Sequence, residues 1–169
     1  MSLSEIAVPT FVQFIGSLSA VLDKAAAYAS EKKIDPGVLV GLRLTPDMYP
    51  LSRQVQLASD FAKGTVARLA GVEAPKYPDD EKTIDELKAR LAKTLAFVQS
   101  VDPKAIDGAQ ERDIVFPVGP NTRTLKGSIY LLHYALPQFY FHVTTAYNIL
   151  RHCGVGIGKR DFIGQVPSA

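Results

Sequence analysis

The apolar residues of this sequence follow a helical period in four stretches, and this feature constrains the fold most. Roughly residues 6–32, 45–70, 83–101 and 137–153 place apolar side chains at i, i+3 and i+4 spacing. That spacing gathers the apolar side chains on one face of a helix, which must be buried against another element. Four such helices predict an all-α fold, a four-helix bundle whose apolar stripes meet in one core.

The ends of the predicted helices are marked by capping residues. Thr83, followed by Glu86 three positions later, forms a capping box that starts the third helix. Gly71 is expected to end the second helix in the left-handed conformation, which glycine adopts without steric cost. Thr45 is the predicted N-cap of the second helix, unless Pro50 delays its regular part. These signals favour helices for the periodic stretches.

Residues 102–127 break the helical period between the third and fourth long helices. The run RDIVFPVGPNTRTLKG predicts a small β-hairpin or an ordered loop around its Gly-Pro-Asn turn, because Pro117 weakens a strand. A short helix around 128–135 and a boundary at Pro137 then precede the fourth helix. We therefore expect a long crossover within a single domain that spans residues 1–169.

Composition bears on the partners that such a bundle can have. The net charge of +2 is too small and too scattered for a nucleic-acid surface. Asp23 and Lys24 interrupt the apolar N-terminal stretch short of a membrane span, so we expect no membrane partner. Cys153 is the only cysteine, which excludes an internal disulfide and favours a cytoplasmic location.

One histidine lies on the predicted core face of the fourth helix. His142 shares that face with Val143 and Ala146. A buried imidazole needs a hydrogen-bond partner or a metal, because an unsatisfied polar group costs about 1–3 kcal/mol. Asp47 and Gln54 flank the inner stripe of the second helix and are the candidate partners. Asp47, Gln54, His142 and Ala146 are therefore the predicted ligand pocket.

Other candidate sites have simpler interpretations. The glycine-rich run at 154–160 follows a helix C-terminus, where carbonyl groups do not attract phosphate, so we expect a terminating loop. Cys153 is interpreted as a small core residue and His152 as a residue that complements the helix dipole. Phe141 and Thr145 belong to a second face of the fourth helix, which predicts either a homodimer contact or a surface covered by the crossover.

Two segments carry a resemblance to a known family. LTPDMYPLSRQVQLASDFAKGTVARLAG and LPQFYFHVTTAYNILRHCGVGIGKRDFIG resemble an uncharacterised family, the domain of unknown function DUF1993, allied to the DinB/YfiT-like superfamily. The resemblance covers essentially the whole chain and implies a four-helix bundle, frequent dimers and metal-dependent enzymes, some of them thiol transferases. The metal triad of that superfamily resembles one histidine on the second helix and an HxxxH pair on the fourth. Here His142 matches the first member of the pair, Ala146 replaces the second, and Gln54 is the nearest polar substitute on the second helix.

Two functions are compatible with these observations. The first is a soluble homodimer with an interior polar pocket near His142, a small-molecule ligand and a degenerate metal site for which no cofactor is expected. The second is a DinB-like metal-dependent enzyme, a thiol-dependent transferase, in which Zn, Ni or Fe is held by His142, Gln54 and Asp47. A single imidazole with an amide and a carboxylate is a weak donor set for these metals, so the first interpretation is preferred.

Overall fold

The computed structural model describes residues 1–167, which are mostly helical with one small antiparallel sheet. The elements in chain order are α1 (Leu3–Lys32), α2 (Pro36–Gly41), α3 (Leu51–Ala70), α4 (Ile84–Ser100), α5 (Pro103–Asp107), β1 (Asp113–Val118), β2 (Asn121–Lys126), α6 (Gly127–Tyr130), a π-turn (Leu131–Ala135), α7 (Leu136–His152) and α8 (Lys159–Ile163).

The first helix starts earlier than the apolar period indicates. Ser2 Oγ accepts a hydrogen bond from the Glu5 amide at 3.3 Å, and the Glu5 carboxylate accepts one from the Ser2 amide at 2.7 Å. This capping box satisfies donors that the first turn leaves free, so α1 begins at Leu3. The predicted start near residue 6 is wrong by three residues, and Pro9 lies inside the helix.

The start of α3 follows the second of its two predicted alternatives, in which Pro50 delays the regular helix. Thr45 does not cap a helix, because residues 45–48 form a separate turn in which the Met48 amide donates to the Thr45 carbonyl. Pro50 occupies the N-cap position and the helix begins at Leu51. The predicted end is confirmed, since Gly71 has a φ of 74° in the left-handed region.

The four long helices enclose the core. α1 contacts α4 and α7, and α3 contacts the same two helices from the other side. Phe11, Ile15 and Leu22 of α1 are fully buried there, in agreement with the apolar period. Within residues 1–167, α1 is the one helix long and apolar enough to cross a membrane. Its packing against α4 and α7 accounts for that composition, because a central core helix needs the same residues.

The crossover contains a hairpin rather than an irregular loop. β1 and β2 pair antiparallel, with Val118 opposite Asn121, so the chain turns at Gly119 and Pro120. Ile114 and Phe116 are buried, whereas the residues between and beyond them are exposed. This alternation fits a ribbon with one face on the core. The hairpin covers the helices on the side where the last long helix begins.

The last long helix is not interrupted at Pro137. α6, the π-turn and α7 follow one another without a break, and the Leu136 amide donates to the Leu131 carbonyl five residues earlier. Proline has no N–H and its ring collides with the preceding turn of a regular α-helix. The wider turn lies directly ahead of Pro137, so the helix continues. The predicted start of the fourth α-helix at this proline is confirmed to within one residue, because α7 begins at Leu136 with Pro137 in its first turn; the unbroken join to the preceding segment was not predicted.

The C-terminal segment returns to α1. The predicted loop after α7 is present, and α8 follows it. Gln13 donates to the Ile163 carbonyl at 2.8 Å, and the Tyr28 hydroxyl donates to the Cys153 carbonyl at 3.1 Å. Cys153 is partly buried, and burial raises the pKa of its thiol. These contacts hold the chain end against the outer side of α1.

Candidate functional site

His142 lies at the contact between α3 and α7. Its side chain is buried, with 7% of the residue exposed, and Gln54 opposite is 1% exposed. The His142 Nδ1–H donates to Gln54 Oε1 at 2.8 Å. The apolar period of α7 turns His142 inward, and the inner face of α3 presents Gln54 at the same level. The structure thus brings together two of the predicted site residues.

A second hydrogen bond fixes the orientation of Gln54. Its Nε2 donates to the Tyr49 carbonyl at 3.1 Å, so its Oε1 faces the histidine. An amide oxygen only accepts, and His142 Nδ1 must therefore carry the proton while Nε2 keeps its lone pair. Among residues 1–167, Thr65 Oγ1 is the one buried side-chain oxygen or nitrogen without a partner. His142 Nε2 makes no hydrogen bond to residues 1–167 and is not one of these fully buried atoms.

The imidazole of His142 is neutral at physiological pH. Burial is the main cause, and the positive charge of Arg53 adds to it; together they lower the pKa of His142 from 6.5 to about 4. A base of this strength accepts a hydrogen bond at pH 7 but removes a proton from a substrate poorly. The group is therefore suited to recognition more than to general-base catalysis.

Two aromatic rings fix the imidazole plane. Phe61 of α3 stacks on His142 with ring centroids 5.6 Å apart and an interplanar angle of 19°. Phe141 meets the imidazole edge-on at 5.3 Å and 88°. The rings and the Gln54 bond leave His142 little freedom to reorient. Phe61 was not identified from the sequence, although it lies seven residues after Gln54 and hence on the same helix face.

The remaining predicted pocket residues contribute no donor to this contact. Asp47 is exposed in the segment before α3, and its carboxylate accepts a hydrogen bond from Thr45 Oγ1 at 2.8 Å, which lowers the pKa of Asp47. Asp47 was assigned to the inner face because α3 was expected to begin at Thr45. Ala146 is fully buried one turn after His142 and offers no polar atom.

The donor atoms around His142 do not fit a zinc, nickel or iron centre. The imidazole supplies one nitrogen, and the Gln54 oxygen is already engaged by Nδ1–H. Such metals take three or four nitrogen, sulfur or carboxylate ligands in proteins. In the part of the chain that the structure describes, no three His, Cys, Asp or Glu side chains are grouped so that they could hold an ion.

A buried arginine that sequence reasoning missed organises the neighbouring surface. The Arg90 side chain of α4 is 2% exposed. Its guanidinium lies 2.8 Å from Asp60, 3.0 Å from Asp79 and 3.0 Å from Glu81, and it donates to the Pro78 carbonyl at 3.0 Å. Burial opposes the charged form, but Glu81 and Asp60 outweigh it and raise the pKa of Arg90. We call these four charged residues the Arg90 cluster.

The Arg90 cluster ties the loop between α3 and α4 to both helices. Its carboxylates also bind three side chains of α3, which are Arg53, Gln56 and Lys63. Arg53 thereby connects the cluster to the site, because its charge also acts on His142. Arg90 lies three residues after the buried Leu87 of α4 and so on the same helix face, and this spacing was the available sequence signal.

Comparisons with known proteins agree on the family and the fold. Residues 3–163 match the model of a domain of unknown function (DUF1993). The crystal structure of a DinB family member protein from Shewanella denitrificans is 40% identical. The match covers 99% of this chain and 94% of that chain, with a TM-score of 0.91. No functionally curated protein matches the chain.

Proposed function

The chain belongs to the DUF1993 family, and we propose that it is a DinB-like helical protein that binds a small polar ligand at His142 without a metal ion. The proposal assigns α1, α3, α4 and α7 to a four-helix bundle. The contacts of α1 and α3 with α4 and α7 support this assignment. The site then lies between two bundle helices, at the level where the superfamily pattern has its metal ligands.

The oriented, neutral imidazole is the observation that carries this proposal. Gln54 holds Nδ1–H, so Nε2 is left as an acceptor with a fixed direction, to which a ligand would donate. A ligand hydroxyl, thiol or amide N–H is the group that such a nitrogen binds. Arg53 disfavours an additional positive charge nearby. The ligand class is therefore a neutral or anionic molecule that donates a hydrogen bond to His142.

We further propose that the protein forms a homodimer. Phe141, Leu132 and Ile129 of the last long helix are 54%, 43% and 43% exposed. Burial of large apolar side chains between two copies is favourable at about 25 cal/mol per Å². Tyr140 and Tyr147 contact Phe14 and Phe162, so that side of α7 is covered by the chain itself. A reducing cytoplasm suits the partly buried thiol of Cys153.

The test compares metal and ligand binding in the wild type and in His142→Gln. In calorimetric titrations with Zn²⁺ and Ni²⁺, we expect the wild type and His142→Gln to behave alike, with no stoichiometric metal binding that depends on His142. Stoichiometric, His142-dependent binding would instead support the DinB-like metal-dependent enzyme, the thiol-dependent transferase, as the alternative function. His133→Gln is the matched control, because His133 is exposed on the π-turn.

Ligand binding needs a separate readout. Nuclear magnetic resonance screening of a fragment set rich in alcohols, thiols and amides is expected to find compounds that shift the His142 ring signals. Those compounds should lose at least tenfold in affinity in His142→Gln and keep their affinity in His133→Gln. Fragments that bind equally well to both variants would contradict the recognition role of His142.

A further inference from the structure

We propose that a cavity between α3, β1 and the π-turn binds a small aromatic carboxylate, whose carboxylate group is held by Arg68. This second site goes beyond the function proposed for His142 and uses different polar atoms. The inference depends on the shape of the cavity, the charge that faces it and the glycine that lets Arg68 take its position.

The cavity is small, and three of its seven lining residues are aromatic. Its volume is about 170 Å³, and its lining includes Phe61, Phe116, Tyr134, Asp60 and Arg68. The Phe116 and Tyr134 rings lie 4.6 Å apart, and Phe61 and Tyr134 lie 6.2 Å apart. An apolar cavity of about 150 Å³ is enough to hold a benzene ring. The size therefore fits a ligand with one ring.

The charge available to a ligand in this cavity is positive. Asp60 is already bound by Arg90 at 2.8 Å and by Lys63 at 2.9 Å. Arg68 has no carboxylate within 4.0 Å among residues 1–167, and it donates one hydrogen bond to the Tyr130 hydroxyl at 3.2 Å. A partly buried guanidinium with free N–H groups binds a carboxylate through two parallel hydrogen bonds.

The absence of a side chain at Gly64 leaves room for the Arg68 guanidinium. A Cβ atom at Gly64 would lie 2.7 Å from Arg68 Nη1 and 3.6 Å from Cζ. The guanidinium of Arg68 therefore lies directly against the backbone of α3, one turn before its own Cα. A glycine inside a helix is unfavourable relative to alanine, so its presence here calls for a packing reason. The space for Arg68 is such a reason.

The π-turn supplies the remaining wall. Tyr134 projects from the five residues Leu131–Ala135, where the helix is wider than a regular α-helix. Single π-turns within α-helices occur frequently at functional sites. Tyr134 stacks with Tyr130, at 5.9 Å and 26°, and Tyr130 in turn holds Arg68. The wall and the cationic group of the cavity are thus positioned by the same short segment.

Benzoate is the probe that tests this assignment, and benzyl alcohol is its uncharged counterpart. Binding is followed by ligand-observed nuclear magnetic resonance and by the amide signals of residues 57–68, in the full chain at pH 7. We expect saturable binding of benzoate and at least tenfold weaker binding of benzyl alcohol. Acetate, which lacks the ring, should also bind at least tenfold more weakly.

Two variants change the guanidinium in different ways. Arg68→Gln removes its charge, and Gly64→Ala displaces it while raising the helix propensity of α3. Arg68→Gln should weaken benzoate binding at least tenfold and Gly64→Ala by a smaller, measurable factor, while the circular dichroism spectrum stays that of the wild type. Arg151→Gln is the matched control, because Arg151 is an exposed arginine near the end of α7, and it should bind benzoate like the wild type.

Three results would overturn the proposal. These are the absence of saturable benzoate binding, equal binding of benzoate and benzyl alcohol, and unchanged binding in both folded variants. Each of them can occur whether or not a ligand binds at His142, so the two proposals succeed or fail separately.

Discussion

The buried imidazole makes the stability of the protein depend on pH in a defined window. The pKa of His142 is about 4 in the folded chain and 6.5 as a free side chain. Between these values the unfolded state binds more protons than the folded state, so stability rises with pH. The folded state is therefore fully favoured above pH 6.5, and this contribution is lost as the pH falls toward 4.

The size of the effect follows from the two pKa values. The full difference corresponds to about 3 kcal/mol, because one pKa unit is about 1.4 kcal/mol. Between pH 7 and pH 5 the expected loss is about 2 kcal/mol. This range avoids the titration of ordinary carboxylates, whose pKa values lie near 4. His142 is 7% exposed, so solvent screening reduces the effect little.

Urea unfolding at pH 7 and pH 5, followed by far-ultraviolet circular dichroism, measures this loss. We expect His142→Gln to abolish about 2 kcal/mol of the pH dependence, and His133→Gln to leave it as in the wild type. The reasoning is refuted if the wild type and His142→Gln show the same difference in unfolding free energy between the two pH values. In that case the imidazole would be protonated as readily in the folded chain as in the unfolded one.

Three further perturbations have expected outcomes. Arg90→Met should lower the free energy of unfolding by about 3 kcal/mol, because it leaves three carboxylates without their shared cation. The melting temperature should fall by roughly 6–12 °C. Lys93 is an exposed residue of the same helix, and Lys93→Met should change the melting temperature by less than about 2 °C. Gln54→Leu should lower the free energy of unfolding in urea by about 2 kcal/mol, because it leaves the buried His142 Nδ1–H without its acceptor. A decrease of less than about 0.5 kcal/mol would contradict that hydrogen bond. The proposed homodimer predicts a wild-type mass of two chains in sedimentation equilibrium and a shift toward monomer in Phe141→Ser, whereas a monomeric wild type would contradict the dimer and an unchanged dimer mass in Phe141→Ser would contradict the contact at Phe141.

Most of the helical framework could be predicted from local signals. The apolar period identified α1, α3, α4 and α7, and the capping box of Thr83 placed the start of α4. An equivalent box at Ser2 and Glu5 starts α1, although Pro9 lies within that helix. A proline in a helix costs one hydrogen bond, and the burial of a long apolar face outweighs that cost.

The continuity of the last helix could not be predicted in the same way. Pro137 normally marks a boundary, because its ring excludes a regular α-helical turn before it. The π-turn that accommodates it is rare, and nothing in the local composition of residues 131–135 announces it. The hairpin packs Phe116 against Tyr130 at 4.8 Å and against Tyr134, so tertiary contacts support this turn.

The candidate site was predicted in part for a geometric reason. Helical periodicity fixes the direction of a side chain around its axis, so His142 and Gln54 could be assigned to facing stripes. Asp47 is among the predicted site residues because a helix capped by Thr45 would contain it, whereas the observed N-cap is Pro50, five residues later. Arg90 was missed because arginine side chains are usually exposed to solvent. Its carboxylate partners come from a loop and a second helix, which the sequence does not place beside it.

The central claim is that His142 is a neutral imidazole with its proton on Nδ1 and an unprotonated Nε2. Long-range ¹H–¹⁵N correlation spectra of the histidine rings, recorded from pH 7.5 to pH 4.5, test it directly. We predict one histidine with a protonated Nδ1 and an unprotonated Nε2 throughout most of this range, assigned by its absence in His142→Gln. A proton on Nε2 at pH 7, or a His142 midpoint near 6.5, would contradict the account.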